Sequence, residues 1–245
     1  MSTVKYYDWS YHQARTRPNK VAVKEVSTGR ETTYGQLEER SCRLASWLQN
    51  KGVKKGDRVA ILIHNCTEVF ELEFACAKIG AIELPLNWRL TKPELEYILN
   101  DSSPEVLIYG SNFADTAKAL IKDCSIKNSL EIDDEDQNNE YEQALKENID
   151  FDVVETTHDD LIMLMYTSGT TGHPKGAMIT HEMQFYNIVN LAGSARVTDK
   201  TVQLIVLPLF HTGGMNCYAN PILHYGGQIV LMKEFDPGKA LEIIN

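Results

Sequence analysis

One stretch of the chain combines residue types that suit phosphate binding. Residues 166–176 read Tyr-Thr-Ser-Gly-Thr-Thr-Gly-His-Pro-Lys-Gly and follow the apolar run 161–165, which is typical of a buried strand. Glycines let the backbone turn tightly and approach a ligand closely. Free N–H groups and hydroxyls donate hydrogen bonds to phosphate oxygens, and a lysine adds a point charge. The stretch therefore predicts a loop that holds a polyphosphate.

Three other interpretations of this stretch are weaker. Glycine, serine, threonine and proline also form ordinary connections, but four hydroxyls followed by Gly-x-Pro-Lys-Gly favour a binding role. The loop does not follow the Walker A pattern, because Pro174 precedes Lys175 and Gly176 follows it. It does not follow Gly-x-Gly-x-x-Gly either.

A second candidate segment, Leu-Pro-Leu-Phe-His-Thr-Gly-Gly at residues 207–214, follows an apolar run. His211 is expected near the carboxyl end of a strand, where ligands bind in open α/β sheets. From the residues alone, a single histidine fits a structural hydrogen bond as well as a ligand contact. Residues 215–218 are candidates for a pocket wall, and core packing explains them equally well.

Charge and composition exclude some classes of protein. The 245 residues carry a formal net charge of −10, from 34 acidic and 24 basic side chains. Such a balance argues against a nucleic-acid partner, which needs a basic face. The five cysteines show no zinc spacing and suit reduced thiols in the cytoplasm. No signal peptide is expected at the N-terminus, and prolines and glycines interrupt the uncharged stretch 201–232, so no transmembrane segment is predicted.

The alternation of elements predicts an α/β fold, with parallel strands in layered sheets and flanking helices. Apolar runs that predict strands lie at residues 59–63, 81–85, 106–109, 161–165, 202–207 and 228–232. Capping boxes at Thr33 with Gln36 and Thr91 with Glu94 begin two helices. Further helices are predicted at residues 68–80, 114–123, 181–193 and from 236 onward. The acidic segment 131–155 is expected to form a solvated surface excursion.

The loop at 166–176 resembles the signature of the adenylate-forming superfamily, which includes acyl-CoA synthetases, luciferases and peptide-synthetase adenylation domains. It matches that family's Tyr-Thr-Ser-Gly-Thr-Thr-Gly-x-Pro-Lys-Gly pattern at every defined position. Weaker matches in the same order are residues 17–23, 33–37, 56–60, 87–90 and 207–214. The resemblance implies that the chain is the N-terminal portion of the large domain. Residues 1–180 would form one α/β subdomain and residues 181–245 the start of a second.

The resemblance also implies a reaction and a set of site residues. A carboxylate attacks the α-phosphorus of ATP, pyrophosphate leaves, and coenzyme A then displaces AMP to give a thioester. The residues implied to contact the nucleotide are Thr167, Ser168, Gly169, Thr170, Thr171, Gly172, Lys175 and Gly176. Lys175 and Thr170 would be catalytic, and Thr170 would also lie near Mg²⁺. His211, Gly213 and Gly214 would line the substrate site, while His173 fills the variable position and is interpreted as a solvated loop residue.

Three functional interpretations remain open at this stage. The first is an ATP-dependent carboxylic acid–CoA ligase acting on a fatty acid or an aromatic acid such as a succinylbenzoate. The second is a non-catalytic nucleotide-binding fragment, since the downstream acidic motif, ribose-binding aspartate and C-terminal lysine of the family have no counterpart here. The third is a luciferase-like oxygenase, which is rare in the family. As an N-terminal fragment, the chain alone is expected to be inactive, and its acyl chain length and oligomeric state stay undetermined.

Overall fold

The computed structural model describes residues 4–133, 136, 138–146, 150–167 and 172–244. Its strands are β1 (Val21–Glu25), β2 (Glu31–Thr33), β3 (Arg58–Leu62), β4 (Ile82–Pro85), β5 (Val106–Gly110), β6 (Asn128–Ile132), β7 (Leu161–Thr167), β8 (Lys175–Thr180), β9 (Val202–Ile205) and β10 (Gln228–Leu231). Its helices are α1 (Trp9–Thr16), α2 (Tyr34–Asn50), α3 (Thr67–Ile79), α4 (Lys92–Ser102), α5 (Ala114–Asp123), α6 (Glu140–Ala144), α7 (His181–Ala195), α8 (Asn220–His224) and α9 (Pro237–Ile244). The mixed α/β class predicted from the sequence is confirmed.

The chain divides into two compact units, each with its own sheet. The first unit holds residues 40–63 and 71–181 with the N-terminal residues up to Tyr7, and the second holds 8–39, 64–70 and 182–245. The predicted division into residues 1–180 and 181–245 stays a prediction. Residues 8–39 nevertheless group with the later part of the chain, because β1 pairs with β10.

The sheet of the first unit is parallel except at one edge. Among the described residues its strand order is β6-β5-β3-β4-β7-β8, and β8 alone runs antiparallel to its neighbour. Strands β3, β4 and β5 are mostly apolar and almost wholly buried, as expected for parallel strands covered on both faces. Helices α4 and α5 cover one face, burying Leu95, Leu99 and Leu120 in a cluster with Leu84 and Leu107.

The acidic segment is more ordered than predicted. Residues 128–132 form β6, which pairs with β5, and residues 140–144 form α6. Tyr141 is 1% exposed, and its hydroxyl donates a 2.7 Å hydrogen bond to the buried carboxylate of Glu71. Arg40 bridges Glu71 and Glu142. The interpretation of 131–155 as a wholly solvated excursion was therefore wrong for these residues, because ion pairing and one buried aromatic ring anchor an otherwise acidic segment.

A buried carboxyl group lies on the central strand β4. Glu83 is 0% exposed, and neither of its carboxylate oxygens has a hydrogen-bond partner among the described residues. Burial raises the pKa of Glu83 well above its ordinary value, and the charge of Glu73 raises it further. The unfolded chain, by contrast, exposes the same carboxyl group to water.

Replacing Glu83 by glutamine should alter how stability depends on pH. Since the folded-state pKa lies above the unfolded value, folding takes up a proton between those two pKa values, and stability falls as pH rises through that interval. Glu83→Gln removes this loss, so urea unfolding should show a more stable protein at about pH 8 and a smaller gain at about pH 4. The control is Glu155→Gln, whose side chain is 67% exposed. Parallel stability–pH curves for the parent and Glu83→Gln would contradict the prediction.

The sheet of the second unit joins distant parts of the chain. Its order among the described residues is β2-β1-β10-β9, with β1 parallel to β10 and antiparallel to β2. The register places Lys24 opposite Val230. The carboxylates of Glu25 and Glu68 are buried in this unit, and Arg30 pairs with both at 2.6 Å. Buried charges of this kind need such partners, because an unpaired ion is costly to remove from water.

Helix boundaries follow the capping signals of the sequence. Thr33 and Gln36 exchange backbone-to-side-chain hydrogen bonds of 3.2 and 2.9 Å at the start of α2. Thr91 and Glu94 form the same box at the start of α4. Gly52, which follows α2, has a φ of +88°, a conformation that favours glycine. These three local predictions are confirmed.

Candidate functional site

The predicted phosphate loop connects the two antiparallel strands β7 and β8. Thr167, the last residue of β7, pairs with Lys175, the first residue of β8. Paired residues of an antiparallel ladder point to the same face, and both of these residues are exposed. Thr167 and Lys175 therefore lie opposite each other where the connection joins the strands, with their side chains on the same face of the ladder.

Four of the predicted nucleotide contacts lie outside the described residues. They are Ser168, Gly169, Thr170 and Thr171. Their roles, including the position of Thr170 near Mg²⁺, stay predictions. In the described parts of the chain, no group of three or more His, Cys, Asp or Glu side chains is arranged to hold a metal ion.

Two described glycines of the segment 166–176, Gly172 and Gly176, are explained by different structural constraints. Gly172 has a φ of +139°, where residues with a Cβ are strained. Gly176 on β8 lies opposite Tyr166 on β7. A Cβ at position 176 would be 2.9 Å from Cδ1 of Leu164 and 3.3 Å from Cε2 of Tyr166. Glycine at 176 thus lets the backbone of β8 pack directly on the side chains of β7.

The base of the hairpin is fixed by a small polar cluster. The backbone N–H of His181, directly after β8, donates a 3.0 Å hydrogen bond to the carbonyl of Asp160, directly before β7. The carboxylate of Asp160 accepts from the backbone N–H of Thr157 at 2.7 Å and pairs with Lys55 at 2.8 Å. These contacts therefore fix the alignment of β7 with β8 at this end of the hairpin.

The loop end of the hairpin contacts helix α4 at two points. The hydroxyl of Tyr166 donates to Oδ2 of Asp101 at 2.5 Å. Burial, together with this hydrogen bond, raises the pKa of Tyr166 above its ordinary value. His173 is exposed as predicted, but its ring stacks on Tyr97 with centroids 4.5 Å apart and an interplanar angle of 15°. The interpretation of His173 as simply solvated was therefore incomplete.

The second candidate segment belongs to the second unit. His211 is exposed and lies six residues beyond the end of β9 at Ile205. The strand predicted at residues 202–207 therefore extended beyond the observed end of β9. Nδ1 of His211 accepts a 3.0 Å hydrogen bond from the backbone N–H of Gly213. Neutral imidazole with an accepting Nδ1 carries its proton on Nε2, so Nε2 is the nitrogen available to donate to a ligand.

The glycines after His211 begin a π-helical segment, Gly213–Ala219. Such segments are rare and occur often at functional sites. Gly214 is buried, and a Cβ on it would lie 2.3 Å from the carbonyl oxygen of Pro208 and 2.8 Å from that of Leu207. Close backbone packing explains this glycine. Among the wall candidates, Met215 and Asn216 are buried and Tyr218 is 48% exposed.

Asn65 holds this segment in place and was missed by the sequence analysis. Its Nδ2 donates to the carbonyls of Leu207 and Met232 at 3.0 Å each, and its Oδ1 accepts from the backbone N–H of Leu209 at 2.8 Å. Asn65 is 7% exposed. No local sequence signal identifies it, because its three partners lie far along the chain.

Removing the amide of Asn65 should destabilise the second unit. In Asn65→Ala, one buried N–H and two carbonyls lose their partner, and each such group costs about 1–3 kcal/mol. We expect a loss of about 3 kcal/mol or more in urea unfolding. Asn190→Ala, at an exposed position of α7, is the matched control. Equal losses for the two variants would show that the three hydrogen bonds do not stabilise the unit.

Asn87, Trp88 and Arg89, which match a family segment, have a structural explanation. The guanidinium group of Arg89 lies 4.8 Å from the centre of the Trp88 ring. The backbone N–H of Arg89 donates to the side chain of Asn87 at 3.0 Å. The ring of Trp88 in turn packs against the core cluster of the first unit.

Comparison with known proteins identifies the family. The sequence profile described as AMP-binding enzyme matches residues 10–245. The chain belongs to the AMP-binding enzyme family. A feruloyl-CoA synthase of Amycolatopsis sp is 37% identical over 236 residues, covering 96% of this chain and 45% of the relative. The long-chain-fatty-acid–CoA ligase FadD13 of Mycobacterium tuberculosis is 34% identical over 242 residues, covering 98% of this chain and 48% of the relative.

Solved structures of AMP-binding enzymes share the fold. The inhibitor-bound N-terminal domain of FACL13 from Mycobacterium tuberculosis matches with a TM-score of 0.88 and 32% identity, over 96% of this chain and 59% of that one. ATP-bound MatB from Rhodopseudomonas palustris matches with a TM-score of 0.85 and 28% identity, over 97% of this chain and 47% of that one. The predicted resemblance and the layered fold are thereby confirmed.

The chain spans about half the length of the curated relatives that it matches, 45% and 48% for the two named above. These relatives are acyl- and aryl-CoA ligases. In the part of the chain that the structure describes, no helix combines the length and apolar character needed to cross a bilayer.

Proposed function

We propose that this chain provides the phosphate-binding part of an ATP-dependent carboxylic acid–CoA ligase that works through an acyl-adenylate. The observation that carries the proposal is the β7–β8 hairpin, in which Thr167 and Lys175 flank one end of a glycine- and hydroxyl-rich connection. Membership of the AMP-binding enzyme family and the likeness to ATP-bound MatB support ATP as the ligand.

The proposed first step activates the substrate carboxylate. One carboxylate oxygen attacks the α-phosphorus of ATP, the bond from that phosphorus to the β-phosphate oxygen breaks, and pyrophosphate leaves with the electron pair. Lys175 and the donors at 167–171 would bind the β- and γ-phosphates and stabilise the charge that develops there. Mg²⁺, when bound, would neutralise part of the phosphate charge near Thr170. Positioning and charge stabilisation suffice, so no protein nucleophile is required.

The proposed second step forms the thioester. The sulfur of coenzyme A attacks the acyl carbon of the adenylate, its proton is released, and AMP leaves. His211, Gly213 and Gly214 would line the approach of the acyl group or the thiol in this step. A carboxylic acid is already ionised near pH 7, so His211 is not needed as a base for the first step.

The proposed compartment is the cytoplasm, which suits five free cysteines.

A fatty acid is the proposed substrate, and an aromatic acid is the alternative. The likeness to FadD13 supports the first, and the likeness to a feruloyl-CoA synthase supports the second. We also propose that residues 1–180 form the subdomain that carries the phosphate loop. Residues 181–245 would begin the subdomain that carries the acyl-binding segment. The alternative of a non-catalytic nucleotide-binding fragment applies to the 245-residue chain by itself.

Carboxylate-dependent exchange of labelled pyrophosphate into ATP tests the proposal. It should be assayed with the 245-residue chain and with a longer form that spans the relatives' full length, using long-chain fatty acids and hydroxycinnamic acids. Exchange by the longer form with either acid class supports a ligase, and the preferred class identifies the substrate. ATP binding without exchange by the shorter chain would make that chain a binding fragment. Lack of exchange by the longer form with every acid would contradict the proposal.

A further inference from the structure

Helix α4 contacts both ends of the β7–β8 connection. At the entry, Tyr166 precedes Thr167 and donates its hydroxyl to Asp101 at 2.5 Å. At the exit, His173 lies two residues before Lys175 and stacks on Tyr97 at 4.5 Å between ring centroids. Tyr97 and Asp101 are four residues apart on α4, so they lie on the same face of the helix, one turn from each other.

Helix α4 is itself firmly placed in the first unit. Leu95, Ile98 and Leu99 are at most 2% exposed and belong to the core cluster. The capping box of Thr91 and Glu94 fixes its first turn. The rings of Tyr97 and Tyr166 both pack against the same cluster. The helix therefore offers two contact points whose positions are set by the core.

We propose that Tyr97 and Asp101 are positioning residues for the phosphate-binding connection, with Asp101 holding its entry through Tyr166 and Tyr97 holding its exit through His173. The inference rests on the proposed function, because it assigns these residues to the placing of Thr167 and Lys175. Restricting both ends before the ligand arrives reduces the ordering cost of binding. It also keeps the phosphate donors near the geometry of the reaction.

The stacking on Tyr97 gives His173 a positioning role in this chain. The family pattern leaves that position variable, so the contact between His173 and Tyr97 belongs to this sequence and not to the signature. An aliphatic residue at position 97 would keep the core packing and lose the stack. Phenylalanine would keep both, because the stack uses the ring and not the hydroxyl.

The stack can be tested in the 245-residue chain by NMR of ¹³C-labelled histidine. The ring current of Tyr97 should shift the ring protons of His173 upfield, and a His173→Gln variant assigns these signals. Tyr97→Leu should abolish the upfield shift, whereas Tyr97→Phe should retain it. Unchanged His173 signals in Tyr97→Leu would show that the stack does not exist in solution and would overturn the proposal.

The positioning role is tested by titrating the same variants with ATP and Mg²⁺. Tyr97→Leu, Asp101→Ala and Tyr166→Phe should each raise the Kd for ATP by about two- to tenfold, the range expected for one aromatic pair or hydrogen bond. Tyr97→Phe and Asp101→Asn should bind ATP like the parent, because asparagine still offers an oxygen to Tyr166. If Tyr97 and Asp101 had only a structural role, the first three variants would lower the midpoint of unfolding without weakening ATP binding.

The comparison with Lys175→Ala separates the two proposals. If Lys175→Ala weakens ATP binding while Tyr97→Leu and Asp101→Ala leave it unchanged, the positioning role is overturned and the proposed function stands. If the longer form neither binds ATP nor loses pyrophosphate exchange in Lys175→Ala, the proposed function of the loop fails and the positioning role fails with it. The His173 signals then still report whether the stack forms.

Discussion

Lys175→Ala is expected to slow pyrophosphate exchange by about 10- to 100-fold, which corresponds to the loss of one charge-assisted contact of about 1.5–3 kcal/mol. The KM for ATP should rise by less than the rate falls. The reason is that negative charge accumulates on pyrophosphate as the bond to the α-phosphorus lengthens, so the ammonium group interacts more strongly with the transition state than with bound ATP.

Two further variants make the Lys175 experiment specific. Lys239→Ala removes an exposed lysine from α9 and should leave exchange unchanged. Lys175→Arg keeps the charge but changes its shape, so partial recovery would indicate that charge is the main contribution. The assay needs the longer form if the 245-residue chain shows no exchange. An exchange rate for Lys175→Ala equal to that of Lys239→Ala would contradict the proposed role.

Gly214→Ala is expected to destabilise the second unit by about 3 kcal/mol or more, because overpacking against backbone cannot be relieved by a side-chain rotation. The added Cβ would meet the carbonyl oxygen of Pro208 at 2.3 Å. That carbonyl also accepts the backbone N–H of His211 at 3.2 Å. A shift of the carbonyl would therefore displace the candidate substrate-binding histidine as well.

Gly193→Ala is the matched control in the same unit. Gly193 lies in α7, and a Cβ there would meet nothing within 4 Å. Alanine should stabilise this helical position by about 0.5–1 kcal/mol. Urea unfolding of both variants gives the comparison, and opposite signs are expected. A Gly214→Ala protein as stable as Gly193→Ala would mean that the segment after Pro208 adapts without cost.

Local features of the sequence predicted many elements but not how they pair. Strand β7 and the helices that begin with capping boxes were predictable, because their signals lie within a few residues of each other. Strand β8 was missed, because none of its residues is buried and the sequence shows no apolar alternation. Strand β6 was missed because acidic residues follow it and only Leu130 and Ile132 are buried.

The sequence offered candidates for the site residues, whose roles stay predictions, but no indication of the side chains that support them. The signature pattern identified Thr167, Lys175 and Gly176, and the hairpin places the first two opposite each other. The same pattern gave no indication of Asn65, whose hydrogen bonds reach residues 142 or more positions away. Such supports depend on the tertiary fold, so a motif that describes one segment cannot contain them.

The position of β1 between β2 and β10 has a consequence for synthesis on the ribosome. Residues Val21–Glu25 emerge about two hundred residues before their parallel neighbour Gln228–Leu231. Domains tend to fold only when such distant contacts become possible. Until then, β1 and β2 can form only a two-stranded ribbon, which is marginally stable in water. The nascent chain would therefore present an unprotected strand edge while the residues between β1 and β10 are synthesised, and chaperone binding is expected to concentrate there.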